Sequence, residues 1–343
     1  MSFIGGVRVS GIAAAVPEKR LIIDNLNNYS TSEKKQFIRH VGVYEKRTSD
    51  LKLTTADLCL AAAEELLQDL GWAPNTVGAL ILVTQSPDQL LPSTAIVLQN
   101  KLGLAESCLA FDINLGCSGW VYGLSVVGSL MKTLGIERGL LLAGETAVLT
   151  TEDNHSHFPL MGDAGTATAL ELSKGATPMR FQFYSDGGRF QAIHAPNSGA
   201  RQFADGGSEA DLKYVAQMEA DQVLRFCLLD VIPSIRNFMK KSDVNIDAVS
   251  YFVFHQANRL INESMRKKLS IPEEKFPYSI SHFGNTSSAS IPLTMVTQLS
   301  EQMASEQTLL CSGFGVGLSM AHVVLKTKHV KCLPLIEMKV PTQ

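Results

Sequence analysis

The chain has 343 residues, 45% of them hydrophobic and 18% charged, with 26 Gly and 13 Pro. These values exclude a disordered, collagen-like or coiled-coil protein. With 30 Lys and Arg against 33 Asp and Glu, a net charge of −3 and 7% aromatics, there is no basic footprint for a nucleic-acid backbone and no base-stacking surface. At about 150 residues per domain, the length suits two domains or one core built twice.

The first residues, MSFIGGVRVSGIAAAVPEK, are interrupted by Arg8 and Ser10 and do not read as a signal peptide. No window reaches the run of about 20 apolar residues that a membrane span requires. The six cysteines (Cys59, Cys108, Cys117, Cys227, Cys311, Cys332) form no CxxC pair and no metal-ligand spacing. The expectation is therefore a cytoplasmic protein without disulfides or metal. Leu58, Ala62, Leu66 and Leu70 recur every four residues before Gly71, predicting a helix with a glycine C-cap.

Gly78–Val83 is apolar throughout and of strand length, as are Gly139–Ala143, Val249–Phe254 and Gln307–Cys311. Runs apolar on both faces predict a buried parallel sheet covered by helices. Ala195–Asp211 is rich in Gly and Ser and reads as a surface loop. Ser290–Leu299 reads as a helix with Pro292 in its first turn. The halves rhyme: strand, small-residue turn (114–119 or 283–288), helix, strand. That pattern predicts a duplicated α/β unit, divided between Leu172 and Pro178 into halves 1–174 and 175–343.

Asp112-Ile-Asn-Leu-Gly-Cys117-Ser-Gly119-Trp120 sets one cysteine between a strand and a helix start. Backbone N–H groups and the helix dipole favour a thiolate there, making Cys117 either a nucleophile or simply a small buried residue. His255-Gln-Ala-Asn258 follows the strand 251–254, at the end where α/β sheets place ligands; a core or helix-capping histidine is the alternative. Gly284-Asn285 opens a turn into a helix, compatible with an ordinary N-cap. Gly313-Phe-Gly315-Val-Gly317 lacks nucleotide-loop spacing and is followed by a strand (318–325). It fits a loop giving backbone N–H groups to an oxyanion. Together, a Cys nucleophile with His and Asn donors points to acyl transfer.

At these motifs, with Met161-Gly-Asp163-Ala-Gly165 and Gly284-Asn285-Thr-Ser-Ser-Ala-Ser290, the chain resembles β-ketoacyl-acyl-carrier-protein synthase III enzymes. These belong to the thiolase-like condensing superfamily, and the motifs stand in family order along essentially the whole chain. The resemblance implies an α/β, five-layer αβαβα thiolase-like fold of duplicated αβα halves, a homodimer and a two-step reaction without a cofactor. Cys117 would take an acyl group from an acyl-CoA or acyl carrier protein. Malonyl-carrier thioester would then lose CO2, with His255 and Asn285 bonding the enolate oxygen. The N–H groups of Cys117 and Val316 would form the oxyanion hole. Leu91 would close the acyl pocket. Arg225, Asn258, Lys267 and Lys268 would line the pantetheine entrance and the acyl-carrier surface.

Gln36 and His40 stand where the family usually has Trp and Arg, and a second family Arg falls near His155. The usual grip on CoA is thereby missing, and carrier-bound primers are expected to outcompete CoA. Leu91 replaces a bulky Phe, which implies a longer or branched acyl chain. Two alternatives share the fold: a specialised acyltransferase or acyl–acyl condensing enzyme of secondary metabolism, and a silent partner subunit.

Overall fold

The computed structural model describes residues 1–50, 52–146, 159–196, 198–206, 208 and 215–341. Two mixed sheets form its frame. One runs in the order β15 (Lys331–Cys332), β2 (Val7–Pro17), β8 (Ala164–Leu172), β7 (Arg138–Glu145), β5 (Ala79–Val83), β6 (Leu109–Ile113), with β16 (Ile336–Met338) also beside β2. The other runs β1 (Ser2–Ile4), β9 (Met179–Ser185), β14 (Ser319–Thr327), β13 (Gln307–Gly315), β12 (Tyr251–Phe254). Two small ribbons pair β3 (Arg20–Ile22) with β4 (Glu45–Arg47), and β10 (Ile193–His194) with β11 (Gln217–Met218).

The sheets repeat one pattern. β2, β8 and β7 are successively antiparallel and β7 is parallel to β5. In the same way, β9, β14 and β13 are antiparallel and β13 is parallel to β12. The termini cross over: β1 joins the second sheet, and β15 and β16 join the first.

Side-chain alternation along the strands builds the layers. Ile81 and Val83 of β5 face the central cluster, whereas Leu80 and Leu82 face an outer one. Val253 of β12 likewise faces inward while Phe252 and Phe254 face the opposite outer cluster. Each strand is thus apolar on both faces because helices cover both. Between the sheets lie α4 (Gly119–Leu134) and α10 (Ser290–Gln298); α2 (Thr55–Leu70) and α3 (Thr94–Lys101) cover the first sheet. α6 (Ala220–Phe226), α7 (Ile232–Lys241) and α8 (Arg259–Lys268) cover the second. The order is helix, sheet, helix, sheet, helix, the five-layer sandwich expected.

The expected helix over Leu58–Leu70 is α2, opened by a Thr54–Asp57 capping box and closed by Gly71 in left-handed conformation, φ 62°. The middle layer is tight: a Cβ on Gly123 of α4 would come within 2.5 Å of Leu141. Two sequence expectations need correction. The expected runs do pair in parallel, β5 with β7 and β12 with β13, but the sheets are mixed, because β8 runs antiparallel to β7 and β13 returns directly into β14 as a hairpin. The 195–211 segment carries a short helix, α5 (Ala200–Ala204), in its described part. Of the remaining helices, α1 (Thr31–Val41) lies beside α8 and α9 (Ile280–Phe283) beside β4; α1 ends at Gly42, packed against Arg259 of α8.

Candidate active site

Cys117 sits in the turn between β6 and α4, at the level where the two halves meet. Gly119, which opens α4, packs on Val83 and Leu115, so the helix start is drawn down onto β5. The β13–β14 hairpin reaches the same point from the second half. A Cβ on Gly315 would lie 2.8 Å from both Cβ and Sγ of Cys117. The backbone groups of Val316 and of Cys117 itself act on the sulfur in the direction that favours a thiolate. Ser319 donates to the Val316 carbonyl at 2.6 Å and pairs with Ser118 Oγ at 2.8 Å, tying the hairpin to the helix start.

His255 follows β12; its N–H donates to the Ser312 carbonyl of β13 at 2.8 Å. The ring is 1% exposed and stands edge-on to Phe314, 5.5 Å between centroids. Burial pulls its pKa down to about 3, so the imidazole is neutral across the physiological range. Asn285 is held from both sides. Its backbone N–H donates to the Leu160 carbonyl at 2.8 Å, and its carbonyl accepts from Gly162 at 3.0 Å. The Met161-Gly-Asp163 motif has no room for a side chain at Gly162, which lies against the Phe283 carbonyl. The Asn285 Oδ1 accepts the Ser287 N–H at 2.9 Å, so its amide NH2 is left as the donating end.

Ser287 joins these parts. Its hydroxyl bonds Cys117 Sγ at 3.9 Å, its N–H orients Asn285, and its carbonyl accepts from Ser290 Oγ at 2.9 Å. Ser290 Oγ in turn stands 2.8 Å from His255 Nδ1. Ser287 adopts φ 47°, a left-handed conformation uncommon outside glycine and a mark of functional sites. Sequence reasoning missed Ser287 and Ser290; the only signal was the run of serines after Asn285.

The helix start was expected to favour a thiolate at Cys117. Burial instead pushes the thiol above its ordinary value, outweighing the Ser287, Val316 and Cys117 donors. A second buried acid lies nearby and was also missed. Glu145, at the end of β7, accepts from the Gln85 N–H at 3.0 Å and the Ser86 hydroxyl at 2.9 Å. Its pKa is raised to about 8, mainly by burial, with Cys117 adding to the effect. Gln85 itself packs on Gly116 in the Cys turn.

The other expected residues are spread more widely. Leu91 is 86% exposed. Asn258 is the N-cap of α8, its Oδ1 accepting from Ile261 at 2.8 Å. Arg225, Lys267 and Lys268 are exposed on the outer helical layer, and Lys267 pairs with Glu263 at 3.3 Å. Gln36 and His40 lie on α1, beside α8; His155 lies outside the described residues. Among the described residues, no three His, Cys, Asp or Glu side chains stand together as metal ligands, and no helix is long and apolar enough to cross a membrane.

Two duplicated α/β halves meeting over a cysteine at a helix start are the architecture of thiolase-like enzymes, and this chain is of that class. Residues 111–187 match the family described as 3-oxoacyl-[acyl-carrier-protein] synthase III, and residues 239–327 match its C-terminal family. A β-ketoacyl-[acyl-carrier-protein] synthase III from Streptococcus equi subsp. zooepidemicus (strain MGCS10565) is 30% identical over 323 residues, 93% of this chain and 98% of the relative. The crystal structure of a 3-oxoacyl-(acyl-carrier protein) synthase from Burkholderia xenovorans LB400 superposes with a TM-score of 0.92 at 34% identity, covering 98% of both chains. The priming β-ketosynthase of a polyketide pathway, at 23% identity and a TM-score of 0.85, shares the fold over 95% of this chain. The chain belongs to the β-ketoacyl-acyl-carrier-protein synthase III family and is a condensing acyltransferase.

Proposed function

We propose that the protein extends a primer acyl thioester by one malonyl unit, with Cys117, His255 and Asn285 as the catalytic residues. The observation that carries this reading is the continuous set of hydrogen bonds through Ser287 that joins all three. Cys117 sulfur attacks the primer thioester, forming the acyl–Cys bond and releasing the donor thiol. Negative charge on the tetrahedral oxygen is met by the Cys117 and Val316 N–H groups, the latter carried by the hairpin whose Gly315 packs against Cys117. Malonyl-carrier thioester then loses CO2. The enolate oxygen accepts from Asn285 Nδ2, oriented by the Ser287 N–H, and from Nε2 of His255. The enolate carbon attacks the acyl–Cys carbonyl, and the Cys117 thiolate leaves and is reprotonated. The substrates are thioesters, and no step calls on a prosthetic group.

Carrier-bound primers are the proposed first substrates, because Gln36 and His40 of α1 stand where the family usually has Trp and Arg, while Phe37 beside them packs on the Ile23, Val43, Leu160 and Ile280 cluster. The carrier is proposed to dock on the outer helical face of Arg225, Asn258, Lys267 and Lys268. A second copy is proposed to cover the open edge of β6 and the exposed Leu90 and Leu91, where Leu91 would close the partner's acyl pocket. Halves 1–174 and 175–343 remain the proposed units, each holding part of the site. The six free cysteines agree with a cytoplasmic setting. A silent subunit is not favoured, since nucleophile and donors are all present.

Intact-protein mass spectrometry with a panel of acyl-carrier and acyl-CoA donors tests the proposal. One adduct, absent from Cys117→Ala, is expected, and it should form faster from the carrier. An adduct that persists on Cys117→Ala would overturn the assignment.

A further inference from the structure

A neutral imidazole carries one ring proton, and the group facing one nitrogen decides what the other nitrogen can do. His255 Nδ1 faces Ser290 Oγ at 2.8 Å, and the Ser287 carbonyl also bonds the ring. With the proton on Nδ1, the Ser290 hydroxyl oxygen can accept it, and Nε2 on the opposite side is a bare acceptor. With the proton on Nε2, Nδ1 needs a donor. The Ser287 carbonyl can never be one. The Ser290 hydroxyl can, and it is free to do so, because the Ser287 carbonyl is also held by the Ser290 backbone N–H. The Ser290 carbonyl is fixed by Thr294 Oγ1 at 2.7 Å, so the hydroxyl can turn while the backbone stays in place.

We propose that Ser290 is a positioning residue that selects the His255 tautomer, its hydroxyl turning from the Ser287 carbonyl to Nδ1 so that the ring proton stands on Nε2. This places a donor toward the enolate oxygen without any change of net charge. Cys117 acylation needs no donor from His255, so the device serves the condensation half-reaction. The inference rests on the reading of His255 as a donor to that oxygen.

Ser290→Ala removes the hydroxyl that can donate to Nδ1, so nothing there holds the ring proton on Nε2. Decarboxylation of malonyl-carrier thioester, measured without primer, should fall about 10- to 100-fold, as when a supporting hydrogen bond behind a histidine is removed. It should fall much further than Cys117 acylation measured by intact mass, and Ser290→Thr should recover it. Nitrogen-15 spectra of His255 should show Nε2–H in the wild type and Nδ1–H in Ser290→Ala. His255→Ala is the reference: if that variant keeps decarboxylation, the donor reading itself fails. If it loses decarboxylation while Ser290→Ala does not, the Ser290 proposal alone fails. An equal fall of acylation and decarboxylation in Ser290→Ala, or a wild-type ring found only as Nδ1–H with a malonyl thioester analogue bound, also overturns it.

Discussion

Replacing Gly315 with alanine tests the contact between the second-half hairpin and the nucleophile. The residue has φ 155°, and holding an L side chain in such glycine-only backbone costs about 1–3 kcal/mol. The new Cβ would lie 2.8 Å from Cβ and Sγ of Cys117, well inside contact distance, and relieving such an overlap in a packed interior costs about 1–3 kcal/mol more. The stability loss is therefore about 2–6 kcal/mol, read as a lower melting temperature. The chemical effect is separate. Relief must move either the sulfur or the Val316 N–H, and a misplacement of about 1 Å costs on the order of 100-fold in rate. The assay is the time course of Cys117 acylation by intact mass, beside thermal unfolding. Gly175→Ala is the control, because Gly175 also has positive φ, 91°, but nothing lies within 4 Å of its Cβ position. It should cost stability alone. Acylation of Gly315→Ala at the wild-type rate would refute the placement of this hairpin against the thiol.

Glu145→Gln should flatten part of the pH dependence of stability. In the folded chain this acid holds its proton up to about pH 8, against an ordinary 4.5. Between those values the native state binds the extra proton, so its contribution is lost as pH rises, by at most about 1.4 kcal/mol per pH unit. Denaturant unfolding at several pH values should show the wild type losing stability relative to the variant as pH rises from about 4.5 toward 8; a constant difference would contradict the burial argument. Alkylation of Cys117 by iodoacetamide should keep rising with pH beyond the ordinary thiol range, because burial raises its pKa; a plateau at neutral pH would show an activated resting thiolate. Reversing Lys267 and Lys268 to Glu should lower kcat/KM for carrier-bound substrates by up to about tenfold at low salt, with the loss shrinking as salt is added. Pantetheine thioesters should be unaffected, and an equal loss on both substrates would remove the docking role.

Much of this architecture is legible in local pattern. Runs such as Ala79–Val83 and Tyr251–Phe254 are apolar on both faces, and only a sheet covered by helices on both sides accommodates them. Gly71 ends α2 because the left-handed residue there favours glycine. Cys117 before α4, His255 after β12 and Asn285 before α10 are readable as chemistry-bearing positions at element ends. These are short-range properties, decided within a few residues.

Other features exist only once distant segments meet. β14 pairs with β9 from far earlier in the chain, and β1 crosses to a sheet built otherwise from the other half. Ser287 gains its role from Cys117, 170 positions away, and Ser290 from a histidine 35 positions away. Desolvation likewise belongs to the assembled molecule: the helix start at Cys117 argues for a thiolate, yet the packing around the sulfur reverses that sign. Sequence alone therefore determined which elements form and which residues are candidates for the chemistry, because propensity and apolar periodicity act locally. Tertiary structure decided how the sheets are completed, the serine connections and the direction in which the Cys117 pKa moves, because long-range pairing and exclusion of water arise only when the two halves close on each other.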